Sequence, residues 1–351
     1  MKSFFSCGSK FNILIVLGAF SLTTLTIPAT AAPKEACVKT LAGNSSSTSK
    51  VTSSNAQQFV NQMGAVGMDV DWAMSAARGI DNYRSNFPKM LKDAGVTHVR
   101  IRTMTTKPDA AFLAHLKRVV QDSLEAGLVP IIAYQADAYK NNPNPTKLAI
   151  AKEYWKQVSN TFSGFGNQIA FDLIIEPTDA LNKNSVDLNQ YLKTIKSTVR
   201  AISPNRIVFL TSRIRSNPEY LNELDKSLYN SDPNVAVQFH GYASGPSKTN
   251  LSKLWTTGTP EEQKIFEDYI KPAVDFRTQN NVPIWFGAIM FGNYNEGNNY
   301  DIDQQIVFAK YVNTKLRQLN IPYAINSDRI FIDIDKGVYI NKYKRILDAI
   351  R

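Results

Sequence analysis

The chain has 351 residues, 43% of them hydrophobic, and a formal net charge of +10. That is the composition of an ordinary globular protein with room for one large domain and a sizeable core. Two cysteines exclude a disulfide framework once Cys7 leaves with the leader described next, and no Cys/His cluster points to a metal or to a metal cofactor.

The first residues read as an export signal: Lys2 and Lys10 give a positive start, Phe11 to Leu25 an apolar run, and Ala29-Thr30-Ala31 a small-residue cleavage site. Cleavage after Ala31 is expected, which makes the protein secreted or periplasmic. Ser21, Thr23, Thr24 and Pro28 interrupt the run, so no stable membrane insertion is expected. The leader takes two lysines and no acid with it, leaving 38 basic against 30 acidic residues, a formal +8. Such a balance favours acidic partners, of which an anionic polysaccharide suits an exported protein better than nucleic acid does.

Residues 32 to 58 form a polar segment of Ser, Thr, Asn and Ala with little to bury, expected as a flexible tether. From residue 59 to 351, strand-like and helix-like stretches alternate, the mark of parallel β/α units. Strands are predicted at Gly64 to Trp72, Val96 to Arg102, Leu128 to Tyr134, Ile169 to Ile175, Arg206 to Thr211, Val235 to Phe239, Val282 to Phe286, and Ile321 to Asn326 or Arg329 to Asp333. Helices are predicted near Tyr83 to Ala94, Asp109 to Ala126, Lys147 to Phe162, Asp187 to Ile202, Glu261 to Gln279, Ile302 to Leu319 and Lys342 to Ile350. Eight strands over this length predict an α/β fold of the (β/α)8 TIM barrel type. An open doubly wound sheet is the other architecture, but no glycine-rich phosphate loop follows the first strand.

The pivotal stretch is IAFDLIIEP, in which a buried strand delivers Glu176 at its end and Pro177 blocks further pairing. In a barrel, the carboxyl ends of all the strands share one rim. The rim is then expected to hold Asp69, Asp71 and Trp72; Arg100 and Arg102; Tyr134 and Gln135; Glu176; Arg213 and Arg215; His240 and Tyr242; and Asn326. Aromatic rings suit sugar faces, and arginine forks suit carboxylate, sulfate or phosphate. Each arginine has a plainer role open to it, an ion pair with Asp69, Asp71 or Glu176. Four on two strand ends favour an acidic substrate, and strand alternation would aim each Arg-x-Arg pair to one side. His240, in FHGY, suits either a packed histidine or one that shares a proton with a carboxylate or orients a sugar hydroxyl.

Four segments in this order resemble the cellulase family of glycoside hydrolases, family 5, over most of residues 60 to 350. HVRIR is similar to its Val-Arg-Ile-Pro strand, FDLIIEP to its Leu-Asn-Glu-Pro strand, FHGY to its His-x-Tyr strand, and VPIWFGAIMFG to the strand that ends in Gly-Glu-Phe-Gly. The resemblance implies that Glu176 is the acid/base, with Arg100, His240 and Tyr242 around it. It also implies departures. Ile175 replaces the Asn before the acid/base, Ala288 or Met290 falls where the nucleophile glutamate belongs, and Asn326 stands at the tryptophan of the last strand. Hydrolysis needs two carboxyl groups. Glu296, in the loop after the seventh strand, and Asp69 or Asp71 are the candidates for the second. The expected function is cleavage of an extracellular acidic polysaccharide with Glu176 as general acid/base and no cofactor. The alternatives are a β-eliminating lyase, with the arginines neutralising a uronate and Tyr134, Tyr242 or His240 as base, and a polysaccharide-binding barrel without catalysis. Oligomeric state is left open.

Overall fold

A computed structural model describes residues 55–242, 255, 257–292 and 300–351, the side chain of Tyr242 excepted. The expected leader and nearly all of the expected tether lie outside the described residues. Asn55–Gln62 is already helical, so the folded part begins before the boundary expected at residue 59.

Eight strands pair in parallel and in chain order to close a barrel: β1 (Val66–Val70), β2 (His98–Thr103), β3 (Val129–Tyr134), β4 (Ala170–Asp172), β5 (Ile207–Thr211), β6 (Val235–Tyr242), β7 (Ile284–Met290) and β8 (Tyr323–Ile325). The (β/α)8 expectation holds, and of the two readings of the last strand the earlier is the right one. Helices follow the strands except after β5, where the long connection carries only short turns at Pro218–Glu223 and Lys226–Leu228. Helix starts follow from side-chain caps on otherwise unpaired N–H groups. Asp109 accepts from the Phe112 N–H, Asn144 from Lys147, and Thr259 forms a reciprocal box with Glu262.

Strand alternation divides the core in two. Outward-facing residues such as Val70, Ile101, Ile132, Phe171, Val208, Val237 and Phe286 pack under the helices. Inward-facing Ile131, Ala170, Ile207, Phe209, Ala236, Trp285 and Ala324 fill the lower barrel, and the N-terminal helix caps them with Ala56, Phe59, Val60 and Met63. His98 belongs to this floor: Nδ1 lies 3.1 Å from the Met63 carbonyl and Nε2 3.1 Å from the Trp285 N–H. A Cβ on Gly67 would lie 2.1 Å from His98 Nε2, so the histidine uses the space that a side chain there would fill.

Above the floor the inner face turns polar, with Asp69, Arg100, Asp172, Gln238 and His240 all buried. Strand β4 is shorter than predicted, because side chains take over the carbonyls beyond Asp172. Trp155 Nε1 and the Tyr191 hydroxyl donate to Leu173, and Lys140 Nζ donates to Ile175 at 3.1 Å. The chain then turns at Glu176, whose φ of 44° is left-handed.

Candidate active site

Glu176 and His240 meet at the carboxyl-end rim. His240 Nδ1 lies 3.0 Å from Glu176 Oε1, and Nε2 lies 2.7 Å from Arg100 Nη1. A guanidinium only donates, so Nε2 must accept and the proton sits on Nδ1, where it donates to Glu176. Burial, then the Arg100 charge, lowers the His240 pKa against the pull of Glu176, which keeps the ring neutral in that tautomer. Tyr269 fixes the same residue from behind, its hydroxyl donating to the His240 carbonyl.

Arg100 anchors the next layer. Its Nε and Nη2 donate to Asp69 at 2.7 and 2.6 Å, its Nη1 lies 3.3 Å from Asp172, and its carbon lies 5.7 Å from the Trp285 ring centroid. Burial works against its charge, but Asp69 and then Asp172 outweigh it and hold the guanidinium above its usual range. Since Asp69 already balances that cation, Asp172 is a second carboxylate on one guanidinium. Burial pushes Asp172 up to about 7, with Asp69 adding to it and Arg100 opposing.

A second buried group lies beside it. Arg102 pairs with Asp71 at 2.5 Å and donates to Asn326 Oδ1 at 3.3 Å, while Arg78 donates to the other Asp71 oxygen at 2.7 Å. Asp328 is fully buried here, and burial followed by the Asp71 charge raises it to about 7. Asn326 also joins Ser327 through a cis peptide.

These contacts revise several expected binding residues. Asp69, Asp71, Arg100 and Arg102 are buried and bonded to one another's networks, so the plainer role of the two arginines is the one realised. Trp72 has no exposed surface and packs 5.6 Å from Tyr83 and 6.2 Å from Phe87. Tyr134 is buried and stacked on Tyr154 at 3.8 Å, and burial holds its phenol above the usual range. Gln135, half-buried, accepts from Lys140 at 3.1 Å. Tyr242 continues β6 opposite Met290, and its side chain, like all of Glu296, lies outside the described residues.

The Arg213/Arg215 pair departs most from expectation. Strand β5 ends at Thr211, and Arg213–Ser216 forms a turn in which Ile214, Arg215 and Ser216 have φ of 54, 57 and 63°. Three consecutive left-handed residues without glycine cost roughly 1 to 2 kcal/mol each. Arg213 sits on the Tyr220 ring at 4.2 Å, and its fork closes on Glu223 at 2.5 and 2.7 Å. Arg215 donates its backbone N–H to the Pro177 carbonyl at 2.9 Å, one residue past Glu176.

Opposite His240 on β7 stands Ala288, fully buried. A methyl group cannot attack an anomeric carbon. Asp172 was legible as a lone charge inside an apolar strand, while Lys140, Gln238 and Asp328 carried no such signal. Among the described residues the arrangement therefore holds the Glu176 carboxyl group in a fixed orientation at the barrel mouth, backed by a neutral histidine and a buried charge layer.

Comparison with known proteins bears on the family and the fold. The family model for cellulase (glycosyl hydrolase family 5) matches residues 47–326. Endoglucanase H of Acetivibrio thermocellus is 28% identical over 295 residues, covering 79% of this chain and 30% of its own length. Endoglucanase B of Clostridium cellulovorans is 23% identical over 222 residues, 58% of this chain and 49% of its own. The chain thus spans less than half the length of either relative. A Thermotoga maritima enzyme solved in complex with cellobiose superposes with a TM-score of 0.70 at 19% identity, covering 82% of this chain and 98% of that one.

Proposed function

The chain belongs to glycosyl hydrolase family 5, the cellulase family, and on that premise we propose that it is an exported protein that cleaves an extracellular polysaccharide, acidic rather than neutral, with Glu176 as general acid/base. The observation that carries this reading is the contact of Glu176 with neutral His240, itself held by Arg100. Glu176 gives its proton to the leaving glycosidic oxygen as the carbon–oxygen bond breaks, Glu296 is the candidate for the second carboxyl group that stabilises the anomeric carbon until water bonds to it, and the proton that water sheds returns to Glu176. The curated relatives are endoglucanases, which supports a β-glycan backbone. Export is supported by the basic and apolar N-terminal pattern, and acidity by the net charge.

Ala288 favours a second reading, in which the barrel holds the glycan without cutting it, because the strand that supplies the family's nucleophile brings none. One experiment separates the two. The mature protein is incubated with neutral and acidic polysaccharides, and reducing ends, absorbance of unsaturated uronates and binding are followed together. Hydrolysis releases reducing ends alone, elimination releases both signals, and a binding barrel gives neither. Glu176→Gln should abolish release while leaving binding within a few-fold of wild type. A variant that still turns over at the normal rate rejects Glu176 as the proton donor.

A further inference from the structure

We propose that Arg215 is an anion subsite of the cleft, taking a carboxylate or sulfate on the sugar that lies beside the one at Glu176. The inference rests on reading the barrel mouth as a glycan site and adds to it the group that would select acidic chains.

Three of the four arginines that the sequence places at the ends of β2 and β5 are already committed. Arg100 is held by Asp69, Asp172 and His240, Arg102 by Asp71 and Asn326, and Arg213 by Glu223 and the Asn182 carbonyl. Arg215 is half-buried, and among the described residues its guanidinium meets no carboxylate or carbonyl, leaving five fork donors for a ligand. Its backbone is held in an unfavourable conformation by its surroundings. Ile214 N–H donates to Asn182 Oδ1 at 2.7 Å, the Ser212 hydroxyl donates to the Asn217 carbonyl at 2.6 Å, and Arg215 N–H donates to Pro177 at 2.9 Å. Left-handed residues persist where the surroundings over-determine them, which is commonest where a side chain must be aimed. Here the last of those bonds ties the arginine directly to the turn that presents Glu176. A planar fork suits a carboxylate through two parallel hydrogen bonds and also accepts a sulfate.

The test measures affinity of the mature protein for three ligands of one backbone: a uronate oligosaccharide, its carboxyl-reduced neutral form, and a sulfated form. Wild type should prefer an anionic ligand, with affinity falling as salt rises. Arg215→Ala should lose about tenfold or more on that ligand and leave the neutral one unchanged. Arg215→Lys, which keeps the charge and the fold, should recover part of the loss. The preferred anion identifies whether carboxylate or sulfate is the natural group. Equal loss on neutral and anionic ligands, or no loss on either, overturns the proposal. If wild type binds only the neutral form, the glycan reading stands and the anion subsite falls; if it binds none of the three, both fall.

Discussion

Asp172 shows how one buried residue can make the site sensitive to pH. Its carboxyl is lifted from 3.8 to about 7 by burial, which Arg100 opposes and the neighbouring Asp69 charge reinforces. A carboxyl raised on folding contributes stability that is complete below its unfolded pKa and is lost as pH rises through its folded one. The window here runs from about 4 to about 7, and at 1.36 kcal/mol per unit the loss is on the order of a few kcal/mol. Asp172→Asn keeps the shape of the protonated form and cannot ionise. The variant should therefore gain stability over wild type between pH 5 and pH 8 in paired urea titrations. An identical difference at the two pH values would show that Asp172 is ionised throughout.

Among the elements, the turn at Arg213–Ser216 stores the clearest strain. Ile214 is β-branched and left-handed, which glycine tolerates without a Cβ clash. Because Ile214 is half-exposed, little packing is lost on truncation. Ile214→Gly should raise stability by about 1 kcal/mol, the relieved strain exceeding the added chain entropy. Calorimetry decides it, and a lowered melting temperature would mean that the conformation is relaxed. The neighbouring turn is held differently. Lys140, buried and paired with Asp137 at 2.8 Å, grips the carbonyl of Ile175 just before Glu176. Lys140→Met leaves that carbonyl and Asp137 without their cation, and should cost about 2 kcal/mol as well as loosening the position of Glu176. Crystallography or hydrogen exchange of the Glu176 turn would show whether it moves.

At the scale of the whole molecule, the barrel floor carries its own titration. Burial pushes His98 down from 6.5 to about 3, against the Met63 hydrogen bond. Below 6.5 the unfolded chain binds a proton that the folded one refuses, so stability is complete above that value and is lost as pH falls toward 3. Between pH 7 and pH 4 this loss opposes the gain from protonating Asp172, so it is read as a difference between wild type and a variant without the imidazole. His98→Gln should have the lower denaturant midpoint at pH 7, and its deficit against wild type should shrink toward pH 4; a constant deficit would mean that His98 does not titrate in that range. Because His98 joins the N-terminal helix at Met63 to β7 at Trp285, the helix that caps the floor should be released first.

The sequence by itself determined the architecture and three members of the site. Alternation, helix caps and strand-end chemistry are local properties, so IAFDLIIEP, HVRIR and FHGY suffice to place Glu176, Arg100 and His240 at one rim. It could not determine what the arginines do. An ion pair such as Arg100–Asp69 spans 31 residues, and in sequence it is indistinguishable from two charges awaiting a ligand. Nor does RIRS carry the glycine or asparagine that usually announces a left-handed turn, so the sequence reads as strand alternation running through Arg215, four residues beyond the end of β5. Closing the barrel decided both points. Inward-facing polar side chains share a narrow, water-poor interior in which each buried charge must find a partner, and Arg215, outside that interior, had none to take.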